Sequence, residues 1–249
     1  MSSPPGSGVI DERQSLRQRR ELGQIMQTAI IVYRQNFAKL IQIAALVIPL
    51  GIAAAILQER AGDSVVLTSL AGALLIGQSA VNLLASAALI MAINEIDGGR
   101  APDFAQAFDA ATQRFWTLVW ANLRLAFHVL LFIVTIVGIP WGIQRLVRWS
   151  FINQAVMLEG ASAKESLSRS AEAVIGNWWR TLGIYVAISL CAAVPAVFAY
   201  ASFAFTPVAV SSSATAAVDA LLLPFLIVAM TLLYFDLKAR KESYDVSLA

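Results

Sequence analysis

One cysteine, one histidine and a charged fraction of only 14% are the first facts of this 249-residue chain. A lone Cys191 cannot close an intramolecular disulfide, and in its apolar run it reads as a small buried side chain rather than a reactive thiol. A lone His128 excludes a His-rich metal site and any two-histidine mechanism. No acid lies near it in sequence to orient it as a general base, so it reads as a packing residue within a helix bundle. Walker loops, GxSxG elbows and HExxH motifs are all missing, which leaves nucleotide hydrolysis and the commonest hydrolase routes without support. A net charge of +2 is too small to call for nucleic acid. The expectation is a protein that is not an enzyme, with no catalytic residue, metal or cofactor.

Apolar sequence is what the chain has in quantity. It is 58% hydrophobic with a mean hydropathy of +0.69, whereas soluble domains carry about a quarter charged residues. Charge-free runs cover 40–58, 64–94, 125–144, 181–218 and 220–235. A helix rising about 1.5 Å per residue needs about 20 residues to cross the hydrocarbon layer. The run 181–218 is too long for one crossing, and FTPVAVSSSATA (205–216) supplies a turn within it. These runs predict an all-α integral membrane protein with six spans, near 38–57, 66–93, 116–138, 141–158, 181–203 and 216–236. Residues 1–20, rich first in Pro, Gly and Ser and then in Arg, read as a disordered tail rather than a signal peptide. Residues 21–241 make the membrane domain, and 242–249 a second tail.

Basic residues set the orientation. Fourteen of the eighteen Lys and Arg fall in the N-terminal segment, the 94–115 and 159–180 loops and the C-terminal tail; Arg60 alone falls on the other side. Both termini are therefore expected in the cytoplasm, in a bacterial inner membrane. Arg17, Arg19 and Arg20 are placed near anionic headgroups.

Each odd-numbered span follows an amphipathic segment with apolar residues spaced for one helical face. These are Met26, Ile30, Tyr33 and Phe37; Phe104, Phe108, Ala111 and Phe115; Leu167, Ala171, Val174 and Trp178. Pro102 suits a first helical position, and Ser162 with Glu165 forms a capping-box pattern. The unit is an interfacial helix followed by a two-span hairpin, used three times in one orientation, an arrangement that transporters also use.

The polar residues inside the apolar runs carry the candidate site. Gly138 and Pro140 break a long apolar helix, Trp141 suits an interface, and Arg145 and Arg148 follow about 7 and 12 Å below Pro140 at helical rise. Arg124, His128 and Thr135 share one face of the third span, while Gln78, Asn82 and Ser86 form a stripe on the second. Charge at this depth needs a partner, a route to water or a ligand. Asp219 is the one acid available, so three cations leave a positive excess that an anionic lipid headgroup could satisfy. The alternative is that the arginines snorkel to the interfaces and Asp219 pairs with Arg145. Pro49, Pro195 and Pro224 interrupt spans one, five and six, and the small residues Ala71, Gly72, Ala73, Gly77 and Ala80 permit close helix contact.

The C-terminal TLLYFDLKARKESYD (231–245) resembles the ending of the membrane domain found in glycerophosphoryl diester phosphodiesterases and their stand-alone bacterial relatives. The match runs through Tyr234, Phe235, Asp236, Leu237 and Lys238, then Arg240, Lys241 and Glu242. Tyr33–Phe37, Pro49, Gly138–Ile139–Pro140, Arg148–Trp149, Glu159 and SLSRS (166–170) extend it over about 21–245. Trp141 stands where relatives often carry glycine, and Lys238 where arginine is usual. In fused relatives a separate soluble domain performs the hydrolysis; the metal-binding carboxylates of that domain have no match here, so the resemblance carries no phosphodiesterase activity. The membrane domain itself has no settled activity; the resemblance together with the unpaired intramembrane charge points to a lipid-associated membrane module. Asp236 and Pro140 are expected to be structural, and Arg124, His128, Arg145 and Arg148 to receive an anionic headgroup. A small-solute or lipid transporter built from three parallel repeats and a scaffold for partner proteins are the alternatives.

Overall fold

The computed structural model describes residues 16–62, 64–133 and 138–248, and among these the secondary structure is entirely helical. Helices α1 (Leu22–Gln35), α2 (Phe37–Ala44) and α3 (Ile48–Ala61) lead into α4 (Val65–Asp97). Next come α5 (Phe104–Gln113), α6 (Phe115–Ile133), α7 (Ile139–Arg148) and α8 (Ile152–Glu159), then α9 (Glu165–Val174), α10 (Trp178–Phe203) and α11 (Val208–Leu248). Five helical stretches are long and apolar enough to cross a membrane: Phe37–Ala61, Val65–Asp97, Phe115–Phe132, Trp178–Phe203 and Val210–Glu242. The architecture is that of an all-α multi-pass membrane protein.

The first of these stretches holds a local defect with a covalent cause. Pro49 has no N–H, so it cannot bond to Ala45 O as a helix requires. Ile48 N–H takes that carbonyl instead, and residues Ala45–Val47 tighten into a 3₁₀ turn. Pro195 and Pro224 leave α10 and α11 continuous.

The segment expected as the fourth span is two short helices. Trp149 N–H caps α7 through Arg145 O, and the Ser150 hydroxyl donates back to Val147 O, offering the backbone an alternative to the helical ladder. Ser170, wholly buried on α9, bridges the break: its hydroxyl donates to Arg148 O at 2.7 Å and accepts from Phe151 N–H at 3.1 Å. The two pieces nonetheless follow α6 antiparallel and in register. Gly142 lies against Phe132, and a Cβ at Gly142 would stand 3.3 Å from the Phe132 Cβ. Trp149 meets His128 at 5.3 Å between ring centroids, and Asn122 Nδ2 donates to Asn153 Oδ1 at 2.8 Å. Gly160, left-handed at φ +68°, ends α8 against the Arg114 guanidinium at the foot of α6.

Charge gathers at one end of the bundle. Asp236 on α11 has no exposed side-chain surface, yet every lone-pair direction is used. It accepts from Arg20 N–H at 2.7 Å, Arg180 Nη2 at 3.0 Å and Arg240 Nε at 2.9 and 3.1 Å. Glu21 takes the outer sides of the same two guanidiniums, at 3.3 and 3.2 Å. Alongside, Glu159 accepts from Lys238 Nζ at 2.6 Å, Arg169 at 3.3 Å and the Tyr234 hydroxyl. Arg17 bonds to Asp97 at 2.8 Å and lies over the Phe235 ring.

Several expectations are corrected here. Residues 16–20 fold onto the bundle instead of belonging to a tail, with Leu16 and Arg20 buried at 4% and 6% exposure. Burial lowers the pKa of the Arg20 guanidinium, against the pull of Asp236 and then Asp97. The backbone of α11 continues as helix to Leu248. Helix α1 packs along α11: Arg20 N–H meets Asp236, and thirteen residues on, Tyr33 donates to Leu221 O at 2.9 Å. Its buried face is Ile25, Ala29 and Val32, one residue before the expected stripe. Pro102 does not take the first helical position of α5 but precedes its N-cap, Asp103, which accepts from Gln106 N–H at 2.9 Å. Cys191 is exposed on α10. The Ser162–Glu165 capping box forms with both reciprocal bonds, and the Ser162 N–H, with its hydroxyl, holds the Glu165 carboxyl below the ordinary range.

Two stability predictions follow from these contacts. Asp236→Ala is expected to cost about 3 kcal/mol, the lower end for a broken buried ion pair, because Arg180 and Arg240 retain Glu21. Ser170→Ala, which strands the Phe151 N–H and the Arg148 carbonyl, is expected to cost about 1–3 kcal/mol. Unfolding midpoints of the detergent-solubilised variants measure both.

Candidate functional site

Two regions within the apolar helices hold polar groups that the charged end does not use. The first lies where α6 turns into α7. Pro140 opens α7 within its first two residues and is exposed, and Trp141 and Arg145, four residues apart, are both exposed on one helical face. The Arg145 guanidinium sits 5.2 Å over the ring of Trp149, which is 8% exposed. The same indole meets the His128 ring edge-on, and His128 Nδ1 lies 2.7 Å from Arg124 O. The structure thus brings Arg145 and His128 together through Trp149, an aromatic residue that the sequence did not single out for this role.

Arg148 and Arg124 stand apart from that stack. Arg148 is half-buried, its carbonyl held by Ser170 on α9. Arg124 is exposed and borders an open depression with Trp116, Trp120 and Ser162. None of Arg124, Arg145 and Arg148 forms an ion pair among the described residues. Thr135, placed on the same face as Arg124 and His128, lies outside the described residues. Asp219 does not pair with Arg145; the Tyr200 hydroxyl donates to its Oδ1 instead. The seventh residue singled out, Asp236, is the buried anchor of the charged end.

The second region is a pair of cavities. A cleft of about 440 Å³ opens between α3, α4, α10 and α11, and Gln78, Asn82 and Asp219 line it together with Ser189 and a wall of small and branched apolar residues. Gly51 on α3 makes room for Gln78: a Cβ there would stand 2.9 Å from the amide Nε2. A second cavity of about 340 Å³ adjoins it across Ser189 and Leu226, lined by Asn122, Asn153, Gln154 and Tyr185. Gln154 is 3% exposed and its Oε1 has no hydrogen-bond partner. A buried amide oxygen without a donor costs free energy that a bound group can recover.

The sequence identified the Gln78 and Asn82 stripe but neither the role of Gly51 nor Gln154. Gly51 carries no chemistry of its own, and Gln154 lies on a short helix that was taken for part of a single span. No group of three or more His, Cys, Asp or Glu residues able to hold a metal ion occurs among the described residues. Family models, characterised proteins and solved structures alike give no match to this chain.

Proposed function

We propose that this chain is a non-enzymatic, lipid-associated membrane protein that holds an anionic lipid headgroup at the α6–α7 turn. In this reading the chain crosses the membrane six times as three hairpins, with α7 and α8 together forming the return leg beside α6. The charged end faces the cytoplasm of a bacterial inner membrane, and the chain is grouped with the stand-alone membrane domains that its C-terminus resembles. One observation carries the headgroup reading: Arg145 is exposed, stacked on Trp149 and without a carboxylate, while Asp219, the acid available to it, is engaged by Tyr200. A phosphate would supply the missing acceptor oxygens in a geometry that guanidinium groups match.

Native mass spectrometry of the protein released from its own membrane tests the reading. The parent is expected to retain an anionic lipid that Arg145→Ala/Arg148→Ala loses; identical lipid profiles would rule the site out.

A second reading, a small-solute transporter, is favoured by the two cavities that meet at Ser189 and Leu226 within the apolar helices. Polar cavities between repeated helical units are where such proteins bind their cargo. Sealed proteoliposomes are expected to accumulate cargo in a protein-dependent manner if this reading holds, and absence of flux across a broad solute panel counts against it.

A further inference from the structure

Asp219 is an exposed carboxylate on a helix otherwise apolar enough to cross a membrane. It lies seventeen residues before Asp236 on one continuous helix, about 25 Å away at helical rise. It sits within a segment apolar enough to cross a membrane. Asp236 is balanced by two guanidiniums, whereas Asp219 receives the Tyr200 hydroxyl and forms no ion pair among the described residues. A residue of this kind inside apolar helices marks a functional site by default, because a purely structural role would be served by an uncharged side chain.

Its surroundings define what is missing. Gln78 and Asn82 bring side-chain amides to the same cleft and make no side-chain hydrogen bond among the described residues. The remaining wall is Ala44, Val47, Ile48, Ala192, Ala196 and Leu223, with further alanine and leucine neighbours. One carboxylate balances one positive charge. A divalent metal would demand more anionic ligands than this cleft has, and a bare monovalent ion would leave most of the apolar wall and the 440 Å³ unfilled. A compact organic cation fits on every count: N–H donors for Asp219, Gln78 and Asn82, and carbon for the alanines and leucines.

We infer that the cleft between α3, α4, α10 and α11 binds a small organic cation, a protonated amine with an apolar body, through Asp219, Gln78 and Asn82. The amine stays protonated and its charge is met by the Asp219 carboxylate. Gly51 is a positioning residue, since its missing side chain is what lets the Gln78 amide occupy the cleft. The cavity beyond Ser189, with the unpartnered Gln154 oxygen, extends the polar lining toward α8. This inference is separate from the headgroup reading at Arg145 and involves none of its residues.

Equilibrium dialysis of benzylammonium against the full-length protein in zwitterionic nanodiscs, near neutral pH, tests it. The parent is expected to bind, and Asp219→Asn to bind about 10- to 100-fold more weakly, the loss of a charge-assisted hydrogen bond. Asp219→Glu is expected to retain binding. Gly51→Ala displaces only the flexible end of Gln78, so it is expected to weaken binding while leaving the unfolding midpoint of the parent. Arg145→Ala/Arg148→Ala is expected to bind as the parent does, which keeps the outcome distinct from that of the lipid measurement. Benzyl alcohol, the uncharged analogue, is expected to show no dependence on Asp219. The inference is overturned if the parent does not bind benzylammonium, if Asp219→Asn binds it equally, or if benzyl alcohol binds as tightly. Displacement by sodium or potassium at matched concentration would also overturn it, because the site would then take an inorganic ion.

Discussion

The fold depends on the neutralisation of Asp236. A carboxylate wholly removed from water is tolerated only when its charge is paired and its oxygens are hydrogen-bonded. Here that requirement recruits three parts of the chain that sequence separates widely: the residues before α1, the first turn of α10 and the last turns of α11. Replacing such a network with apolar residues is often no less stable, so its value lies in specifying one arrangement. Arg180 and Arg240 each reach Asp236, Glu21 and the Arg20 carbonyl, so a one-residue slip of α1 along α11 would leave a buried charge without its partners. Few other features of an apolar bundle discriminate between registers so sharply, because alanine and leucine faces slide past one another at small cost.

This lock divides the charges of the chain into two kinds. Those at the charged end are consumed by one another: Glu159 gathers Lys238, Arg169 and Tyr234, and Arg17 is spent on Asp97 and Phe235. Those within the apolar helices are not. Among the described residues Arg124, Arg145 and Arg148 meet no carboxylate, and Asp219 meets no cation. Had the purpose been internal pairing, Asp219 and Arg145 would be the obvious couple, yet they belong to separate surroundings: Asp219 to the cleft against α4, Arg145 to the indole of Trp149.

Much of this was legible in the amino-acid sequence, and the boundary is physical. Charge-free runs located five long helices because length and apolarity are local properties. The capping box at Ser162 is local as well. The break between α7 and α8 is not legible in the sequence because it depends on Ser170, nineteen residues beyond Phe151, bonding across the gap. The buried face of α1 was displaced by one residue because Tyr33 and Phe37 are bulky and apolar yet lie at the edge of the contact, while the small Ala29 fits its centre. The arginines at 17 and 20 were assigned to headgroups because nothing in the sequence announces that Asp97 and Asp236 will reach them. The residues behind the family resemblance, Glu159, Arg169, Ser170, Tyr234, Asp236 and Lys238, are joined in space by hydrogen bonds and ion pairs, or bridge a helix break. These residues hold the bundle together.

The two cavities have different origins. The larger is walled by α3, α4, α10 and α11, and its polar lining comes from Gln78 and Asn82 on α4, Ser189 on α10 and Asp219 on α11. The second borders the break at 149–151, where α8 carries Asn153 and Gln154 beside α4, α10 and α11. Ser170 bridges that break from α9 without itself lining the cavity. The polar residues of α8 and those of the long helices therefore meet across Ser189 and Leu226, which both cavities share.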